Sequence, residues 1–435
     1  MPVDIEEWMK EGRKSRFPNT GMLAHFSPAS QMITLDAYTG DDLPKAMAAN
    51  DHDRAREIMA TMSHELTHWA DTIGTLWGRE HLERVYGLYD LMPRATEPDF
   101  PRFVELHDEN RRLSFPQYYH TVREAVQSHD TKRPWRIHFS AGREIDPMGR
   151  MDETRPILFV NFSDHDTGDL LIRQPMTVGA LLETTAVASE SHASVHYILG
   201  KVPEAERMVA FHHAGQDLSS RLYAPSLTLY TAPVHMFARM SRLTDPMIAY
   251  DHASCLAHLC LNLNDQHFPG LLLPTGMADW EVLFPNFKCR RDRAFAFAVV
   301  CFNLEPWQSG FKLEAWLDDA LAKSGLPKAE VIMADAIAAM TQQAADHQAA
   351  ALNDAHGYML ELGLAVAKSR VNGPAFSIGH SMKALGLLPP MLDKEGHLIR
   401  FPGKKFDEAR FAPIDVIDLD WALEGYIRNL LTGCR

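Results

Sequence analysis

Apolar residues recur at helical spacing over most of the chain and alternate with polar ones in only a few short stretches. From Asp51 to about Asp90 the i, i+3, i+4, i+7 pattern predicts one long helix, or two with a break near Gly74–Gly78. A further helix is expected from Thr177 to about Leu199. Pro175 lies just before it, Thr177 supplies an N-cap, and Gly200 marks its end. Beyond Asp245 the pattern predicts helices over Met247–Leu263, Arg291–Phe302, Lys312–Lys323, Lys328–Leu364 and Trp421–Leu431. The fourth runs through an Ala-rich tract, Ala329–Ala355, where helix propensity is high. Asp393–Pro413, with two prolines, reads as an irregular connection.

Strand character is confined. Gln31–Asp36, QMITLD, carries β-branched residues and ends at the turn Gly40-Asp41-Asp42. Pro156–Phe162, PILFVNF, is the stronger strand and is closed by the turn-rich SDHDTGD. Helices outweigh strands, so the expected fold class is mainly α (α+β), with a small β element beside the first long helix and a helical C-terminal region. The length, 435 residues, suggests more than one domain. We expect a metal-binding and catalytic region over 1–244 and a mostly helical region over 245–435 packing on it.

Composition narrows the classes. Hydrophobic residues make up 46% and charged residues 23%, an ordinary globular balance. The formal net charge is -14 with no long Lys/Arg run, which argues against nucleic acid as the main partner. The longest apolar run, Ala294–Phe302, is far short of the roughly 20 residues of a membrane helix. The N-terminal MPVDIEEWMKEGRKSR has no apolar core of a signal peptide. Five irregularly spaced cysteines make a disulfide framework improbable, so a cytoplasmic setting is expected.

The chemistry concentrates in the first long helix. Met62–Asp71, MSHELTHWAD, holds His64, Glu65 and His68 as H-E-x-x-H. Four residues advance a helix by about 400°, so the two imidazoles stand one turn apart on nearly the same face. Both can then reach one Zn²⁺ at about 2.0–2.1 Å. Glu65 is rotated about 100° from His64, which suits a carboxylate that takes a water's proton and passes it to a leaving amine. The flanks are largely apolar, and two unpaired imidazoles would be costly among them.

This motif resembles the active-site helix of the zincin metallopeptidases. The resemblance covers this helix and one more. It implies one zinc per chain, a peptide or protein substrate, and Glu65 as general base. The metzincin continuation fails, because Asp71 stands where that pattern has Gly and Gly74 where it has a ligand. The gluzincin pattern takes its third ligand from a Glu on a later helix. GALLETTAVASESHAS, Gly179–Ser194, places Glu183 and Glu190 seven residues apart on one small-residue face. Two carboxylates there need partners. We expect Glu183 as third ligand. Glu190 is expected as an acceptor for a ligand imidazole or as an alternate ligand. Asp71 lies about 10.5 Å along the axis from His64, too far for one compact site, and is expected to accept a bond from an imidazole N–H.

Weaker signals are read as structure. DHASCLAHLC holds His252, Cys255, His258 and Cys260, but a single helix cannot arrange them tetrahedrally, so packing is expected. DHDTGD lacks the twelfth-position Glu of a Ca²⁺ loop and reads as a turn. A substrate is expected to add to a strand edge at QMITLD or PILFVNF. The alternative class is a non-catalytic helical binding or scaffold protein with a structural metal or none.

Overall fold

The computed structural model describes residues 23–122, 129–145, 150–347, 354–372, 386, 388–401 and 406–433. In chain order the helices are α1 Asp42–Ala48, α2 His52–Gly74, α3 Leu76–Leu91, α4 Phe100–Ser114, α5 Val178–Lys201, α6 Arg207–Leu222, α7 Thr228–Ser241 and α8 Pro246–Leu261. They continue with α9 Phe284–Cys289, α10 Arg293–Phe302, α11 Leu313–Lys323, α12 Ala329–Asp346, α13 Ala355–Asn372 and α14 Pro413–Gly433. The strands are β1 His25–Ser27, β2 Met32–Thr34, β3 Thr121–Val122, β4 Arg136–Ile145, β5 Met151–Ser163, β6 Leu170–Pro175, β7 Met391–Leu392 and β8 Leu398–Ile399. The protein is mainly helical with two small sheets. No helix among the described residues is long and apolar enough to cross a membrane. The charged N-terminal stretch read above, residues 1–16, lies outside the described residues.

The chain divides into two compact units. One comprises Met1–Leu106, Ser189–His212 and Met340–Arg435; the other comprises His107–Ala188 and His213–Ala339. The expected boundary at 244/245 lies inside the second unit. The first unit draws on both chain ends because its core needs both: Ile58, Trp69 and Ile73 of α2 share a cluster with Val366 of α13, Met391 of β7 and Phe411.

In the first unit the sheet order is β1-β2-β7-β8, with β2 and β7 parallel and Ile33 opposite Met391. In the second unit the order is β3-β6-β5-β4, all antiparallel. QMITLD and PILFVNF therefore form β2 and part of β5, each flanked by strands on both sides. Over Ile33–Thr34 and Phe159–Phe162 both sides are already paired, so an added strand has no edge there. Their apolar runs are what a strand covered on both sides carries.

The 51–90 stretch is two helices. Asp51 caps α2 by accepting from Arg54 N at 3.1 Å. Thr75 is extended, and its hydroxyl accepts from Gly78 N at 3.1 Å to start α3. A Cβ on Gly78 would stand 2.1 Å from the Thr72 carbonyl oxygen, so only glycine permits so sharp a break. The expected Lys328–Leu364 helix is also interrupted: α12 ends at Asp346, and Asp354 has φ 65 before α13 begins. The Asp354 carboxylate is held by Arg410. Residues 348–353 of that stretch lie outside the described residues. In the stretch that the pattern read as irregular, 393–413, the described residues form a turn and β8, paired with β7, and α14 begins at Pro413, whose fixed φ suits a helix start; residues 402–405 lie outside the described residues.

Candidate metal centre

α2 and α5 supply the side chains. Thr177 caps α5 as the pattern predicts: its hydroxyl accepts from Ala180 N at 3.0 Å and donates to the Leu113 carbonyl at 2.6 Å. α5 then runs unbroken to Lys201, and its Ser189–Lys201 part belongs to the same unit as α2. Within that unit three polar contacts tie the two helices. Ser63 Oγ donates to the Ser189 carbonyl at 3.3 Å. His64 Nδ1 lies 3.4 Å from Glu190 Oε2. His52 Nδ1 lies 3.3 Å from Tyr197 Oη.

The two histidines of the motif turn the same atom toward each other. His64 Nε2 and His68 Nε2 are 3.2 Å apart, with the rings nearly perpendicular at 80°. Two nitrogens bound tetrahedrally to one zinc at about 2.1 Å stand about 3.4 Å apart, so the observed spacing fits a shared ion. Glu183, the expected third ligand, lies on α5 two turns before Glu190, in the part of that helix that belongs to the second unit.

Glu190 has a definite place. Its carboxylate faces Nδ1 of His64, the nitrogen opposite the one that meets His68. A carboxylate there holds the proton on Nδ1 and leaves Nε2 with its lone pair, the form that binds a metal. His64 is 8% exposed and Glu65 6%, on a helix whose C-terminal half is almost wholly buried. Among known donor chemistries, two imidazoles and a carboxylate suit zinc and other first-row divalent ions.

Asp71, expected to bond an imidazole, accepts from Arg370 Nη1 of α13 at 2.6 Å, with side chains 0% and 2% exposed. Sequence reasoning did not find Arg370. It lies 299 residues from Asp71 and carries no motif. Ser63 was also missed, because its role depends on where α5 passes.

The other candidate groups have structural surroundings. In α8, His258 Nε2 is 3.3 Å from Asn262 Nδ2, and His252 packs edge-on against Trp307 at 4.5 Å. Burial pushes the Cys255 and Cys260 thiols well up, so neither offers a ready thiolate. In DHDTGD, Asp164 accepts from Asp166 N and Thr167 N, a local turn, and these bonds hold its carboxyl down at about 2. A third acidic group, Asp393, Glu395 and His397, sits at the β7–β8 turn, where Asp393 is occupied by the Glu395 and His397 backbone N–H groups.

No protein-family model, curated protein or solved structure matches the chain.

Proposed function

We propose that this protein is a zinc-dependent metallopeptidase with a zincin-like, gluzincin-type core, acting on a peptide or protein substrate. The observation that carries this reading is the meeting of His64 Nε2 and His68 Nε2 at 3.2 Å on a helix that also holds Glu65 between them, with Glu190 against the other nitrogen of His64. His64, His68 and Glu183 would hold the ion in this reading. Zinc, when bound there, supplies Lewis acidity toward a scissile carbonyl and makes a nearby water easier to deprotonate. Glu65 takes that water's proton and returns it to the leaving amine. Glu190 fixes the His64 tautomer. An amide other than a peptide bond would use the same groups in the same way. Cys255, Cys260, Cys289 and Cys301 are free thiols, which accords with a cytoplasmic setting.

The low exposure of Glu65 favours one rival: a helical scaffold in which a metal at the same residues is structural. The test begins with metal content by elemental mass spectrometry on protein purified without added metal or chelator. We expect about one zinc per chain, released by Glu183→Ala. Glu65→Gln separates the two readings: it keeps the zinc in both, but abolishes turnover of a quenched-fluorescence peptide library only in the peptidase. A folded protein that neither carries zinc nor takes it up overturns both metal readings.

A further inference from the structure

The C-terminal half of α2 is gripped from a second direction. Met359, Gly363, Val366 and Arg370 follow each other at i, i+4, i+7 and i+11 along one stripe of α13. Gly363 lets the helices touch: a Cβ there would lie 1.8 Å from the Ile73 carbonyl oxygen. A Cβ on Gly74 would lie 3.0 Å from Val366 Cγ1. The stripe ends in a charge. Arg370 Nη1 donates to Asp71 Oδ1 at 2.6 Å, and both side chains are shut from solvent. Asp71 follows His68 by one turn and His64 by two, only about 20° off the His64 direction.

A buried ion pair of this kind adds little to stability over a well-packed apolar pair, because desolvation offsets the attraction. What it adds is direction. Apolar surfaces slide and roll at small cost, whereas a guanidinium and a carboxylate must meet at one place. A roll of α2 by about 10° sweeps a side-chain tip by about 1 Å at the helix's outer radius of about 5–6 Å. A metal site tolerates about 0.5 Å.

We propose that the Asp71–Arg370 pair is a positioning device that fixes the roll of α2, so that His64 and His68 present Nε2 to one ion. The proposal rests on the metal reading above for its consequence, but the geometry it claims is measurable without metal. Arg370 is a positioning residue, acting through Asp71 and the helix and not on the reacting atoms.

The test replaces both charges at once, because either single change would take from a buried ion the oppositely charged group it meets here. Asp71→Leu/Arg370→Met supplies an apolar pair, and Asp71→Asn/Arg370→Gln supplies a neutral pair should the first not fold. Three quantities are read: the unfolding midpoint, zinc affinity by chelator competition, and the ring 15N NMR signals of His64 and His68 in metal-free protein. We expect a midpoint close to that of the native chain, zinc affinity lower by about 10- to 100-fold, and displaced His64 and His68 signals with His235 and His258 unmoved. Native affinity together with native His64 and His68 signals overturns the proposal and leaves the pair a packing element. If native protein takes no zinc, the metal reading falls, and the ring signals alone decide: displaced, the positioning role stands; unmoved, it falls.

Discussion

Two helices of this protein carry histidines at close spacing, and they behave differently. In α2, His64 and His68 meet Nε2 to Nε2 at 3.2 Å, with Glu190 against the far nitrogen of His64. In α8, His252 and His258 are joined in sequence by two cysteines, a richer set of ligand types. Yet there His258 is engaged by Asn262, His252 lies against Trp307, and the thiols are buried in their protonated form. Helical spacing brings the rings together in α2, at i and i+4, but turns those of α8, six residues apart, about 120° away from each other. What distinguishes α2 is the i, i+4 spacing together with a carboxylate, Glu190 of α5, set against His64.

The comparison breaks if zinc follows α8. We expect His68→Ala to lose stoichiometric zinc altogether while Cys255→Ala keeps it; elemental mass spectrometry of both variants checks this, and the reverse result would falsify the assignment. Next in size, Glu65→Gln should lower peptide turnover by about 10²- to 10⁴-fold at unchanged zinc content. Equal loss of zinc and turnover would instead make Glu65 a structural member of the site. Glu190→Gln should weaken zinc binding by about 10- to 100-fold, measured by chelator competition. No change would mean that Glu190 merely lies beside His64.

A pH series reads the core histidines. Burial depresses His81 and His235 to about 4, against about 6.5 in the unfolded chain. Their neutral forms therefore add stability that is complete above about pH 6.5 and is lost as pH falls toward 4, because the unfolded chain takes up protons first. The unfolding midpoint should fall across that window, and His235→Gln should flatten the fall; a midpoint that stays level would contradict the burial. The smallest effect is expected at Cys260→Ala. A small cavity at a fully buried position should cost about 1 kcal/mol by denaturant unfolding and leave zinc content untouched.

Periodicity alone marked α2, α3, α5, α8, α10 and α11 to within a few residues, because amphipathic patterning and local caps such as Asp51, Thr75, Thr177 and Asp245 are written in adjacent residues. It also placed β2 and the buried half of β5. The helices α1, α4, α6, α7 and α9 and the strands β1, β3, β4, β6, β7 and β8 went unread. α6 and β4 are largely exposed or half-buried, so their apolar positions do not form a clear stripe. The interruption at Asp354 escaped notice because Ala-rich sequence on both sides favours helix, while the left-handed residue is held from outside by Arg410.

At the site, H-E-x-x-H named His64, Glu65 and His68, since their relation depends only on helix geometry. The same periodicity paired Glu183 with Glu190 on one face of α5. That Glu190 stands behind His64 was decided by how the Ser189–Lys201 part of α5 packs on α2. Asp71 shows the limit most plainly. Its place on the histidine face follows from its number, but its partner, Arg370, comes from the far end of the chain. Short-range order is fixed by bond geometry and propensity over a few residues. Partners 299 residues apart are chosen by how helices pack and where a buried charge can be neutralised.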